Sequence, residues 1–366
     1  MAGRVMRWKL KWPVEERGDT VDSSGKRPKR STSQVDYLSL PHVPPIAGLR
    51  LRHFRGERDF MPMSAVAERC KKADESEDAI NVEAIAHRFR NSTNCDPYRD
   101  RLFVEIDYRL IGYSRVWWAQ EAPGSFRYLH ASTLDPDWRT TALEYMMLRY
   151  CEDRLRQVAA QHPPDATRVF ETGTISSQIT RADLLRREGY LAVRYFYDMV
   201  RTLADPTPAP VLPEGLEVRT AKAAHYRPIW DAWQECLRDH WGFVPQDEDD
   251  YQRWLHGPTF SPSIWQVAWS GDEVAALILN YVDQAENAEF HRLRGYTENI
   301  MVRRAWRRRG LARALLLRSL RLLKDVGMEQ AMLTVDAENP SGAMRLYESV
   351  GFTLLKEYIA FRKPMS

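Results

Sequence analysis

The chain has 366 residues, of which 44% are hydrophobic and 28% charged, and its formal net charge is +3. This length predicts two domains, because a single hydrophobic core rarely grows so large. The composition is that of an ordinary globular protein, and so small a charge gives no ground for expecting a nucleic-acid partner. No apolar run approaches the roughly 18 residues that span a bilayer, so we expect no membrane association.

The cysteines lie far apart and form no Cys-x-x-Cys pair, which disfavours both a disulfide framework and a metal site. We therefore expect no metal, and a reducing cytoplasm as the location. The four positions are Cys70, Cys95, Cys151 and Cys236.

Residues 1–45 are rich in Lys, Arg, Ser, Pro and Asp, without sustained hydrophobic periodicity. This composition predicts a disordered basic leader. Its patch at residues 26–30, Lys-Arg-Pro-Lys-Arg, is typical either of a solvated tail or of a contact with RNA or a membrane surface.

The rest of the chain repeats one pattern. Each half opens with a short alternating strand, continues with a hairpin, and then has a tryptophan-containing turn before a helix. The matching segments are 48–52 with 215–219, 102–113 with 265–277, 134–139 with 302–307, and 187–190 with 349–352.

These repeats predict an α/β fold that occurs twice, each copy a mixed, largely antiparallel sheet flanked by helices. The first copy is expected at residues 46–203 and the second at 214–366. Between them, residues 204–213 hold several prolines, which is typical of a stiff linker.

A glycine-containing turn precedes the main helix of the second half. It follows a strand-like run at residues 297–302 and has the pattern Arg-x-x-Gly-x-Ala. The backbone N–H groups at such a helix start are unpaired and bind phosphate, although an arginine-rich helix start that is merely solvated has the same pattern. The residues are Arg307, Arg308, Arg309, Gly310, Leu311 and Ala312, and Leu316, Leu320 and Leu323 continue the apolar face.

Together with Asn339, Tyr347 and the pair Gly351-Phe352, this turn resembles the GNAT superfamily of acyl-CoA-dependent N-acyltransferases. The duplication resembles the tandem, mycothiol synthase-like members of that superfamily. The resemblance covers roughly residues 46–366 and implies that the turn holds the pyrophosphate of acetyl-CoA.

The resemblance also assigns roles to the preceding strand. This strand should splay from its neighbour, and its backbone at Ile300 and Val302 should bind the pantetheine arm and the oxyanion. Asn339 should contact the cofactor, although Asn339-Pro340 is also an ordinary helix entry. Tyr347 should return a proton to the sulfur, although a tyrosine on such a helix often only packs in the core.

The general base is predicted to be Glu298, which by strand alternation should share a face with Ile300 and Val302. The family often uses a glutamate at the position of Tyr296. The rival candidates for the base lie on the stretch leading in, and they are Asp283, Glu289 and His291.

The matching positions of the first half differ. Ala142 replaces the turn glycine, Glu144 stands where Ala312 is small, and Leu185 replaces Tyr347. A carboxylate beside two phosphates repels them. We therefore expect a degenerate first half that supports or covers a catalytic second half.

The segment after the first strand of the second half is rich in tryptophan and acidic residues. Trp233, Trp241 and Tyr251 are candidates for the substrate site, because aromatic rings and carboxylates attract a cationic amine. Amphipathic helices that bury their tryptophans behind a solvated acidic loop explain the same pattern.

The sequence thus predicts an N-acetyltransferase that moves an acetyl group from acetyl-CoA to a primary amine of a small molecule, as a monomer or homodimer. An acyl-CoA-binding sensor, a protein N-terminal or lysine acetyltransferase and an RNA-associated protein are the alternatives.

Overall fold

A computed structural model describes residues 37–76, 81–90, 92–139, 141–257, 259–339 and 342–365. Most of the predicted leader, including its basic patch, lies outside these ranges. Its last residues belong to the first half. Tyr37 forms a bridge with Arg52, and the Leu38 N–H donates to the Leu51 carbonyl at 2.7 Å.

Twelve strands form one continuous sheet in the order β1-β2-β3-β4-β5-β12-β6-β11-β10-β9-β8-β7. In the first half the strands are β1 Leu49–Arg52, β2 Arg101–Ile106, β3 Arg109–Ala122, β4 Ser125–Leu134, β5 Thr167–Ile175 and β6 Leu191–Thr202. In the second half they are β7 Glu217–Arg219, β8 Gln266–Ser270, β9 Glu273–Val282, β10 Arg294–Val302, β11 Gln330–Asp336 and β12 Thr353–Pro364. The β4–β5 and β10–β11 pairs are parallel, and the other ladders are antiparallel.

The two halves exchange their last strands. β12 of the second half inserts between β5 and β6 of the first, and β6 of the first half pairs with both β11 and β12. Each half is therefore completed by a strand of the other. The predicted boundaries describe the order along the chain, whereas the sheet itself does not divide there.

Helices cover both faces of this sheet, as the predicted duplicated α/β fold requires. They are α1 Phe60–Ala73, α2 Val82–Arg90, α3 Thr141–Ala159, α4 Ile179–Arg187, α5 Tyr226–Leu237, α6 Glu248–Leu255, α7 Gln284–Glu289, α8 Leu311–Asp325 and α9 Ala343–Ser349. In the second half, α8 and α9 pack on one face with the odd-numbered residues of β11, and α5 and α6 pack on the other. We name the first the cofactor face and the second the acceptor face, for the roles proposed for them below. The predicted tandem fold is confirmed.

Candidate active site

The turn before α8 contains two residues whose backbone lies in the left-handed region of conformational space, with positive φ. Arg308 has φ of 61° and Gly310 has φ of 77°, and Gly310 caps the helix without a side-chain hydrogen bond. A left-handed turn of this kind directs successive N–H groups toward one point, at the positive end of the helix dipole. A Cβ added to Gly310 would meet no atom within 4 Å, so the space in front of the turn is open.

The arginines of the turn have different surroundings. Arg307 is held from both sides, since its Nε donates to the Val302 carbonyl at 2.9 Å and its Nη2 contacts Asp239 at 2.6 Å. Arg308 and Arg309 are exposed. The neighbouring guanidinium groups of Arg304 and Arg307 lower the pKa of Asp239 to about 2, so this carboxylate is ionised at neutral pH.

β10 separates from β11 where the resemblance predicts it. The parallel ladder joins 294–296 of β10 to 330–332 of β11 and then ends, although both strands continue. On its other side, β10 has a bulge between Glu298 and Met301, where Asn299 adopts a φ of 55°. Bulges re-aim backbone groups near active sites, and Asn tolerates this conformation better than most residues.

The bulge contradicts one prediction about the base. Glu298 pairs with Leu279, which packs on the acceptor face together with Met301. Ile300 and Val302 instead pack with α8 and α9 on the cofactor face. The extra residue reverses the strand alternation, so Glu298 does not share a face with Ile300 and Val302.

Tyr347 lies on α9, on the cofactor face. It is 6% exposed and packs in the same cluster as Leu311, with Ile300 and Val302 against that cluster. Burial raises the pKa of the phenol, which is therefore protonated at neutral pH. The structure thus brings the predicted acid, the turn and the splayed strand together.

Asn339 follows β11, and its N–H donates to the Asp336 carbonyl at 3.1 Å while its carbonyl accepts from the Gly342 N–H at 3.3 Å. These bonds make it part of the loop that enters α9. This arrangement fits the structural alternative, and its contact with the cofactor stays a prediction.

The rivals of Glu298 have other partners. The Asp283 carboxylate caps α7 by accepting from the Glu286 N–H at 2.9 Å, and Glu289 forms an ion pair with Lys71 of the first half. Tyr296, at the position where the family often has its glutamate, is buried and donates a hydrogen bond to Glu286. His291 is exposed, with φ of 48°.

The three candidate substrate residues do not line one common site. Trp233 is 3% exposed and packs in a tryptophan-rich core, and Tyr251 packs half-buried against Trp230 and Trp254. Trp241 lies elsewhere, against Phe196 of β6. The packing explains Trp233 and Tyr251 as inward-facing residues of amphipathic helices, and their substrate role stays a prediction.

Sequence reasoning missed two residues beside the splay. These residues are Thr334 of β11 and Asp198 of β6. Thr334 lies two residues after Met332, the last residue of β11 that pairs with β10, and it shares the acceptor face with Met332. Its hydroxyl donates to the Asp198 carboxylate at 2.6 Å. The two residues meet because β6 pairs with β11 in the strand exchange, and no local sequence pattern predicts that pairing. The signal available was Asp198 itself, the one acidic residue of β6.

No group of three or more His, Cys, Asp or Glu side chains among the described residues has the geometry to hold a metal ion. No helix in that part of the chain is long and apolar enough to cross a membrane. The four cysteines are free thiols.

Fold and site together define a tandem acetyltransferase of the GNAT type, and comparisons with known proteins agree. Residues 226–352 match the model of the Acetyltransferase (GNAT) family. A GCN5-related N-acetyltransferase from Sphaerobacter thermophilus has a similar structure, with a TM-score of 0.70 and 23% identity over 88% of this chain and 97% of that one. A tandem GNAT protein from the clavulanic acid biosynthesis pathway gives a TM-score of 0.61 at 13% identity, covering 87% and 99% of the two chains.

Relatives in sequence carry the name mycothiol acetyltransferase. One from Streptomyces bingchenggensis is 30% identical over 71% of this chain and 80% of its own length. Another, from Thermobispora bispora, is 32% identical over 48% of this chain and 59% of its own length. The chain belongs to the GNAT family of N-acetyltransferases.

Proposed function

We propose that this chain transfers an acetyl group from acetyl-CoA to a primary amine of a small molecule, with the second half as the catalytic one. One observation carries the proposal. The splay between β10 and β11 opens between Glu298 on the acceptor face and Tyr347 on the cofactor face. A base and an acid on opposite sides of one opening suit a reaction in which a nucleophile enters from one side and the leaving group departs on the other.

The residues present fit the acetyl donor that the family uses. The open space at Gly310 and the small side chain of Ala312 leave room for a pyrophosphate at the start of α8. The exposed Arg308 and Arg309 supply positive charge there. Beyond the paired residues 294–296, the β11-facing edge of β10 is available to an extended pantetheine arm, in the manner of an added strand.

Each chemical requirement then has a candidate group. Glu298 accepts the proton of the acceptor ammonium, directly or through water, so that the neutral amine attacks the thioester carbonyl. Backbone N–H groups at Ile300 and Val302 stabilise the oxyanion that forms as the C–N bond is made. When the C–S bond breaks, the buried phenol of Tyr347 donates its proton to the thiolate, and the extra proton on the new amide nitrogen is released and restores the phenol.

The relatives support a small-molecule acceptor, because their name gives a small molecule, mycothiol. By analogy we propose a small-molecule amine rather than a protein as the acceptor. Free thiols at all four cysteines suit a cytoplasmic enzyme.

The test is release of CoA thiol from acetyl-CoA in the presence of single amines. The panel holds glucosamine, spermidine, glycinamide and a lysine-containing peptide, each run against a no-amine control. We expect release above that control with at least one of the small amines, and formation of the N-acetyl product by mass spectrometry. Release with the peptide alone would move the function to protein acetylation, and binding of acetyl-CoA without transfer to any amine would favour a sensor.

A further inference from the structure

We propose that the first half takes part in catalysis through a two-residue relay. Thr334 binds the acceptor amine through its hydroxyl oxygen, and Asp198, which β6 contributes from the first half, is the positioning residue behind it. The inference rests on the proposed function and names the part of the acceptor site that the strand exchange creates.

The positions of the residues support this relay. In the parallel ladder Tyr296 lies beside Met332, so the residues two further along, Glu298 and Thr334, face the same side across the opening. In the antiparallel ladder Thr334 lies directly opposite Asp198. The three side chains therefore form one row on the acceptor face, with Thr334 at the edge of the splay.

The contacts define the role of each member. The Thr334 hydroxyl donates its single proton to the Asp198 carboxylate at 2.6 Å. Its oxygen can therefore act only as an acceptor toward a further group. Thr334 is half-buried, whereas Asp198 is 2% exposed and is held a second time by the Tyr358 hydroxyl at 3.2 Å. An incoming ammonium can thus reach Thr334 but not Asp198.

The negative charge of Asp198 makes the Thr334 hydroxyl better suited to bind an amine. A hydrogen bond to a carboxylate polarises the hydroxyl, so its oxygen becomes a better acceptor for an N–H group. Lys356 lies opposite Asp198 in the ladder between β12 and β6. Its ammonium group donates a hydrogen bond to the Glu75 carbonyl at 2.8 Å. The acceptor nitrogen would then lie between Thr334 and Glu298, beside the thioester in the splay, with Glu298 positioned to take its proton.

The experiment measures KM for the best amine of the panel, KM for acetyl-CoA and kcat in the full chain. Thr334→Val keeps the shape of the side chain and removes the hydroxyl, and Asp198→Asn keeps the shape and removes the charge. We expect each variant to raise KM for the amine about tenfold, the size of one lost hydrogen bond, with KM for acetyl-CoA unchanged. The double variant should be no worse than Thr334→Val, because both changes break the same relay.

Thr334→Ser is the matched control, since it keeps the hydroxyl, and it should restore the wild-type KM for the amine. An unchanged KM for the amine in both single variants would overturn the inference while leaving the proposed function intact. So would equal losses for amine and acetyl-CoA together with a lower melting temperature, which would make Asp198 a structural residue. A wild-type protein that acetylates no amine on the panel would overturn both proposals.

Discussion

Both halves contain a junction of strand, turn and helix, but the residues at the two junctions make different contacts. In the second half the strands after 296 and 332 diverge with an open space at Gly310. In the first half both strands also continue beyond the 125–129 and 167–171 ladder, but the Thr172 hydroxyl bridges them at the first position past it by donating to the His130 carbonyl at 2.9 Å.

Two polar side chains in the matching region of the first half have partners within that half. His130 is fully buried against the Tyr190 hydroxyl at 3.0 Å, and burial lowers its pKa to about 3, so the ring is neutral. Arg139, at the position of Arg307, donates from its two terminal guanidinium nitrogens to the Asp74 carboxylate at 2.5 and 2.6 Å. The two halves therefore share one architecture, while the first half has its own ion pairs and buried side chains in the region that matches the proposed cofactor site.

The exchanged strands give the first half a structural role in the second. It supplies β6 to the sheet of the second half, between β11 and β12, and the loop of the second half that bears Trp241 packs back on Phe196. Losing the first half would leave the β6-facing edge of β11 unpaired along its whole length. The comparison of the halves can be tested by breaking each element in turn.

The largest effect is expected from removing the first half. Residues 204–366 alone lack β6, so β11 becomes an exposed apolar edge and the fragment should aggregate or lack a cooperative melt, as judged by gel filtration and circular dichroism. The matched fragment 188–366 regains β6 and should be more soluble and more stable. A cooperative melt of 204–366 at the temperature of the full chain would show that the exchanged strand is dispensable.

Next in size is the turn itself. Gly310→Glu places a charged side chain at a left-handed position in front of the proposed phosphates, and CoA release should fall to background while the melt stays cooperative. Ala142→Glu at the matching, exposed position of the first half is the control, and it should leave turnover unchanged. Equal losses in both variants would mean that the two turns share the function.

A smaller loss is expected at the acid. Tyr347→Phe removes one hydroxyl from a packed ring, so acetyl-CoA affinity should hold while kcat falls about 100-fold, a usual size for general acid catalysis. Because burial raises the phenol pKa, Tyr347 should cause no fall in kcat between pH 7 and 9. Wild-type kcat in the Phe variant would reassign Tyr347 to core packing.

The smallest effect concerns stability. Burial raises the pKa of Glu144, in spite of the nearby Arg181 and Arg139, and its Oε2 has no hydrogen-bond partner in the described residues. A carboxyl group with a raised folded-state pKa binds its proton more tightly when folded, so its contribution to stability falls as pH rises above its ordinary value of 4.5. Glu144→Gln should therefore melt higher than the wild type at pH 7, with the difference shrinking at pH 4. The reverse trend would show that Glu144 is stabilised as a carboxylate.

Sequence predicted the parts of this molecule that depend on local chemistry. A glycine at a position with positive φ, followed by an apolar helix, predicted the turn at Gly310, and the repeats predicted two copies of one fold. The strand exchange was missed, because the pairing of β6 with β11 and β12 depends on long-range register that each strand's own pattern does not encode.

The face of Glu298 was predicted wrongly for a related reason. Strand alternation holds only while each residue pairs with one partner, and the bulge at Asn299 adds an unpaired residue that the sequence does not reveal. The same limit hid Asp198 and Thr334, which meet only because strands from different halves lie side by side.

Calorimetric titration of the full chain with acetyl-CoA tests the central claim, that the second half alone holds the functional acyl-CoA site. We expect one site per chain, lost in Gly310→Glu and unchanged in Ala142→Glu. Two equal high-affinity sites, or binding that survives Gly310→Glu and disappears with Ala142→Glu, would contradict the account.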